Sequence, residues 1–83
     1  MRFTARVEVR LRPGIADPEG ATIERALPAM GFTSIASVSA GRSFRVELDA
    51  DNLDGAKSIA AELADRLLAN PVIEESVIEV APL

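Results

Sequence analysis

The chain contains no cysteine, histidine, tryptophan or tyrosine, and its only lysine is Lys57. Without cysteine no disulfide framework exists, which fits a reducing compartment. Without His and Cys the common transition-metal ligand sets are absent. The carboxylates Asp49, Asp51 and Asp54 lack the closing Glu of a calcium loop; their spacing suits a strand-to-helix turn with its cap. Ser34, Ser37, Ser39 and Ser43 have no histidine to act as base. A serine–lysine pair would need Lys57, which is expected to point outward. Aromatics amount to Phe3, Phe32 and Phe44, so the core must come mainly from Val, Ile, Leu and Ala. No stretch approaches the roughly 20 apolar residues needed to span a bilayer. The first residues enter a strand pattern directly, with no apolar block of a signal peptide. The expectation is a cytoplasmic protein that meets neither membrane nor nucleic acid.

What is present points to one domain over residues 1–83. Hydrophobic residues make up 48% of the chain, too many for disorder. A chain of this size buries only about 60% of its unfolded surface, so self-association is a natural way to gain stability. The net charge is −4, from nine basic and thirteen acidic residues. That balance argues against a phosphate-backbone binder, which needs a concentrated basic surface. Arg2, Arg6, Arg10 and Arg12 do share strand parity, but Glu8 interrupts the stripe. It reads as a solvated or interface face of a sheet.

Phe3, Ala5, Val7, Val9 and Leu11 alternate with polar residues, which predicts a strand with one apolar face. Pro13 and Gly14 end it. Asp17 is placed to cap a helix that starts at Pro18, where a missing N–H costs nothing. Glu19 places negative charge near the positive helix end. Ile23, Ala26, Leu27 and Met30 form its apolar stripe. Pro28 predicts an irregular last turn, and Gly31 the stop. Residues 33–49 read as two strands in a hairpin, turning at Ala40-Gly41-Arg42 with Gly41 at positive φ. A second helix carries Leu53, Ala56, Ile59, Ala60, Leu63, Ala64 and Leu67, capped by Asp51 or Asn52 and ended by Asn70-Pro71. A last strand spans about 72–80 with apolar residues on both faces. The resulting expectation is an α+β, two-layer ferredoxin-like β-α-β-β-α-β fold. It has a four-stranded antiparallel sheet with two helices on one face. The second sheet face, or its edge, is expected to support self-association.

Other chemistry is poorly served. Glu74 and Glu75 are adjacent on a strand and point to opposite faces, unlike a glycosidase pair. Gly14 and Gly20 do not make a nucleotide-binding fingerprint. An anion at the first helix N-terminus would be repelled by Asp17.

The junction Arg12-Pro13-Gly14-Ile15-Ala16-Asp17-Pro18-Glu19-Gly20 closely resembles the signature of the PurS family. This family is the small subunit of phosphoribosylformylglycinamidine (FGAM) synthase. The resemblance continues through Ala26-Leu27, Gly31-Phe32, Val38 and Gly41-Arg42. It returns at Leu67-Leu68-Ala69-Asn70-Pro71-Val72-Ile73-Glu74 and ends in Ile78-Glu79-Val80. Two departures stand out: Pro28 falls where the family pattern requires no proline, and Arg42 where many relatives carry lysine.

The resemblance implies a role in de novo purine synthesis as a homodimeric adaptor that is not catalytic alone. It would join a PurL-type synthetase, which uses ATP and Mg, to a PurQ-type glutaminase and support ammonia transfer. No cofactor is expected on this chain. Arg12, Pro13, Gly14, Asp17, Pro18, Gly20, Gly41, Arg42, Asn70, Pro71 and Glu74 are the expected interface or structural residues. The alternative is a homodimeric ferredoxin-like module that regulates or binds a small ligand.

Overall fold

The structure is a computed structural model and describes residues 1–83. Strand β1 spans Arg2–Leu11, helix α1 Pro18–Ala26 and a 3-10 turn Pro28–Met30. Strand β2 follows at Gly41–Asp49, helix α2 at Leu53–Leu63, a π-helical turn at Ala64–Leu68 and strand β3 at Glu74–Pro82. The strands form one antiparallel sheet in the order β2-β1-β3. In register, Val7 lies opposite Phe44 on one side and Ile78 on the other.

The sheet has three strands, which corrects the expected four-stranded ferredoxin-like arrangement. Residues 33–40 form neither a strand nor one arm of a hairpin. Gly41 is the first residue of β2 and has no positive φ; only Gly14 and Gly31 do. Gly41 is required for another reason, because a Cβ there would sit 2.7 Å from the Val9 carbonyl oxygen on β1. The Ser- and Ala-rich segment before it carries Ile35 and Val38 on opposite parities and offers few side chains to hold a hairpin partner, and it does not pair.

The second correction concerns the helices. Only α2 packs substantially on the sheet, across all three strands, whereas α1 packs chiefly on its own 3-10 turn. The buried side of α2 and its π-helical extension is Ala56, Ala60 and Ala64, and the strand residues beneath are Phe3, Ala5, Val7 and Val9. Alanine at every fourth position lets the helix approach the sheet closely. The larger residues of the predicted stripe are displaced: Ile59 and Leu67 are exposed and Leu63 is half-buried. Asn52, one of the two expected caps, accepts from the Gly55 N–H at 2.8 Å.

Strand β1 leaves the sheet at Leu11 and β2 enters it at Gly41, where Gly41 pairs with Arg10. Everything between them therefore projects from one end of the sheet as an arm. The ten residues of β1 reach about 33 Å, and α1 with its 3-10 turn adds about 20 Å. This accounts for the 51 Å long axis of the molecule. The Cα radius of gyration is 16.3 Å, against about 12 Å for a compact chain of this length. Only 8 of 83 residues are buried, so this extended protomer has a small core. No helix is long and apolar enough to cross a membrane.

Candidate functional site

The eleven residues singled out in the sequence gather around one end of the sheet. The C-terminal end of β1, the start of β2 and the start of β3 meet there, with Arg10 opposite Gly41 and Leu11 opposite Glu74. Two sequence segments separated by some fifty residues are joined by Arg12. Its backbone N–H donates to the Ile73 carbonyl at 2.9 Å. Its guanidinium Nε donates to the Pro71 carbonyl at 3.1 Å. Gly14, at φ 86°, turns the chain away from β1 toward the arm, a conformation that costs little only for glycine.

Asp17 forms the root of the arm. One carboxylate oxygen accepts from the Gly20 N–H at 2.9 Å, as a helix cap does, and the other accepts from the Ala40 N–H at 2.8 Å. A single side chain thus ties the start of α1 to the residue before β2. Gly20 is buried and lies flush against the returning chain, where a Cβ would stand 2.5 Å from the Val38 carbonyl oxygen. The sequence shows the cap and the glycine; it gives no signal that Val38 and Ala40 complete the joint through backbone atoms.

The two backbone donors hold the Asp17 carboxyl below its ordinary pKa, the Ala40 N–H contributing most. A folded-state pKa below the unfolded one means stabilisation that is complete above the ordinary carboxylate range. It is lost as pH falls through the depressed value. Acid titration is therefore expected to shift the Gly20 and Ala40 amide NMR signals together, at a pH below that range. In Asp17→Asn one of the two bonds must be lost at every pH, because the NH₂ cannot accept. Independent titration of the two amides, or an unaltered pair in the variant, would disprove the shared joint.

The second turn is strapped from β2. The Arg42 guanidinium donates to the Leu68 carbonyl at 3.1 Å and to both Glu74 oxygens at 3.2 and 3.1 Å. It also lies 5.5 Å from the centre of the Phe44 ring, within cation–π range. The Leu68 carbonyl belongs to the end of the π-helical turn, where carbonyls lack helical partners. Glu74 accepts in addition from the Asn70 N–H at 2.7 Å. Asn70 folds the turn locally: its side-chain oxygen accepts from Val72 N–H and its carbonyl from Glu74 N–H. The Glu74 side chain is only 16% exposed, and its pKa is lowered first by the Asn70 N–H, with Arg42 adding to it. All three contacts come from one guanidinium nitrogen, Nη2, while the planar group lies against the Phe44 ring.

The arginine stripe is electrically compensated. Arg2 pairs with Asp49 at 2.7 Å, Arg6 with Glu79 at 2.8 Å and Arg10 with Glu75 at 3.1 Å. These exposed pairs add little stability and offset the charge of Arg2, Arg6 and Arg10. What sequence patterning missed is where the apolar surface lies. Ile15, Ile23, Met30, Phe32 and Ile35, all on the arm, are exposed, Met30 by 68% and Phe32 by 52%. Val77 is exposed on the charged sheet face. Ile59, Leu63 and Leu67 line an open groove on α2 with Glu62 and Arg66.

The polar clusters at the two turns shape backbone, and the arm exposes large apolar side chains. The fold and site define a small α+β protein whose distinguishing features are shaped turns and exposed apolar surface. Comparison with known proteins makes this specific. The family profile described as PurS, phosphoribosylformylglycinamidine (FGAM) synthase, matches residues 4–82. The PurS subunit of phosphoribosylformylglycinamidine synthase from Archaeoglobus fulgidus is 39% identical over 71 residues, covering 86% of this chain and 89% of the relative. The corresponding subunit from Mycobacterium leprae is 44% identical over 69 residues, 83% of this chain and 84% of the relative. Among solved structures, Methanocaldococcus jannaschii PurS superposes with a TM-score of 0.87 at 33% identity, covering 98% of each chain. A chain of the PurLQS structure from Thermotoga maritima superposes with a TM-score of 0.89 at 31% identity, covering 98% and 99%. The chain belongs to the PurS family, the non-catalytic small subunit of FGAM synthase.

Proposed function

We propose that this chain acts as one cytoplasmic adaptor domain of the FGAM synthase complex. As a homodimer it joins a PurL-type synthetase to a PurQ-type glutaminase and supports ammonia transfer between them. ATP and Mg are used at the synthetase subunit, and this chain carries no cofactor. The observation that carries the reading is the arm: it projects from the sheet end, exposes five large apolar residues and buries only Gly20. A nine-residue helix is marginal in water unless its apolar face is packed. The arm therefore needs another chain. The strapped turns at Arg12–Gly20 and Asn70–Glu74 hold that surface in one shape, with Pro13, Pro18 and Pro71 as its stiffening elements and Gly41 letting β2 approach β1 closely.

An adaptor contributes through proximity and shielding of the two reacting subunits rather than through a nucleophile. Reconstitution with and without the chain tests this directly. Glutamine-dependent FGAM synthesis is expected to need it, while synthesis from added ammonia continues in its absence. Equal glutamine-dependent rates without the chain would reject the adaptor role, and a strict monomer in light scattering would reject the homodimer.

A further inference from the structure

Asp54 and Gly55 lie in the first turn of α2, the helix that covers the sheet. Nowhere else in the chain is an Asp or Asn followed by Gly. The order matters because the amide nitrogen after an Asp can attack that residue's own carboxyl. The attack is intramolecular and needs only local geometry, and a glycine leaves the approach unhindered by any Cβ.

The other acidic and amide residues are closed to this chemistry. Asp17 and Asn70 precede proline, whose nitrogen has no hydrogen to give up. Asp49 is held by Arg2, and the Ala50 N–H that follows it donates to the Met1 carbonyl at 3.0 Å. Asp51, Asn52 and Asp65 precede Asn52, Leu53 and Arg66, whose side chains crowd the nitrogen. At position 54 the carboxyl is exposed, and the restraint falls on the nucleophile. The Gly55 N–H is one of the donors left unpaired at a helix start, and it donates to the Asn52 side-chain oxygen at 2.8 Å. The Asn52 carbonyl accepts from the next amide, Ala56, at 3.0 Å. One residue thus pins two successive amides.

We propose that Asp54-Gly55 is a site of spontaneous isomerisation to isoaspartate, which Asn52 holds closed in the folded chain. When the first turn of α2 frays, the Gly55 nitrogen bonds to Cγ of the neutral Asp54 carboxyl. The amide hydrogen and the carboxyl hydroxyl leave together as water, and a five-membered succinimide remains. Water then reopens the ring at one of its two carbonyls. Cleavage of the new N–Cγ bond restores Asp54, whereas cleavage of the original peptide bond routes the backbone through Cβ and Cγ. The mass returns to its starting value in both cases. The lengthened backbone falls two residues before Ala56, which is fully buried, so an isomerised chain loses the seat of α2 on the sheet.

Ageing the full chain at neutral pH and physiological temperature, then digesting it with trypsin, tests the site. Trypsin cuts after Arg45 and Lys57. The peptide between them should separate into two species of equal mass, with fragmentation placing the isomer at position 54. The folded parent should accumulate it more slowly than the parent in urea. Asn52→Ala frees the Gly55 N–H and should age about fivefold faster than the parent, the population change expected for one lost cap. Asn52→Asp keeps a capping oxygen and should age at the parent's rate, while Gly55→Ala should form almost no isomer. Circular dichroism shows whether each variant is folded, and where Asn52→Ala is not, the parent's folded and urea rates decide. Equal ageing of the parent folded and in urea, equal rates for folded Asn52→Ala and Asn52→Asp, or isomer at another residue and none at 54 would overturn the proposal.

Discussion

Gly20→Ala is expected to leave the three-stranded sheet folded and to dislodge the arm. Alanine favours a helix interior over glycine by about 1 kcal/mol, so propensity alone predicts stabilisation. The added Cβ, however, would stand 2.5 Å from both the Val38 carbonyl oxygen and an Asp17 carboxylate oxygen. The carbonyl is backbone and cannot rotate away, and overpacking of this kind costs about 1–3 kcal/mol. The clash wins, and it is relieved by breaking the Asp17–Ala40 joint. Gly55→Ala is the matched control. It occupies the same place relative to its cap Asn52, but its Cβ would meet only the Asn52 side-chain oxygen at 3.3 Å and Ala50 at 3.9 Å. Urea denaturation and light scattering should show Gly20→Ala less stable and weaker in self-association by about tenfold or more, with Gly55→Ala near the parent. Equal behaviour of the two variants would remove the close approach of α1 to residue 38 as a structural requirement.

Phe3→Ala should produce the largest loss of stability in the molecule. Phe3 is 1% exposed, is the bulkiest of the fully buried side chains and lies in register between Leu48 and Pro82. Truncation of a buried phenylalanine costs about 3–5 kcal/mol through lost transfer energy and the cavity left behind. A domain of this kind has about 5–15 kcal/mol in all. With a core so small, the variant is expected to be substantially unfolded when dilute and to regain structure as concentration rises, since association stabilises only the folded chain. Denaturation at two protein concentrations measures this. A loss below about 1 kcal/mol would show that the β1–α2 layer is not the main source of stability.

These two sites differ in how much of them could be read in advance. The period-two alternation of β1 and the Asp17-Pro18 start of α1 appear in the structure as expected, because strand alternation and helix capping depend on neighbours in sequence. Pro28 and Gly31 also behave locally: the first opens a 3-10 turn and the second closes it at φ 92°. The fourth strand did not form, because a strand exists only where another strand bonds to it, and residues 33–39 have no such partner in their own chain. The apolar stripe of α2 was visible but not its division into buried alanines and exposed Ile59 and Leu67. That division follows from the helix's closeness to the sheet, which no helical period encodes.

The sequence by itself determined β1, the two helices, the last strand, the Asp17 cap and the Gly31 stop and, through the Pro-Gly-x-x-Asp-Pro-x-Gly and Asn-Pro-Val-Ile-Glu segments, the family. The tertiary structure decided that those two segments meet, with Arg12 donating to Pro71 and Ile73 and Arg42 holding Leu68 and Glu74. It also decided that α1 stands off the sheet with its apolar face bare. Local patterns set what each segment prefers over a few residues. Which segments touch depends on strand order and on backbone groups, and these carry no side-chain signature.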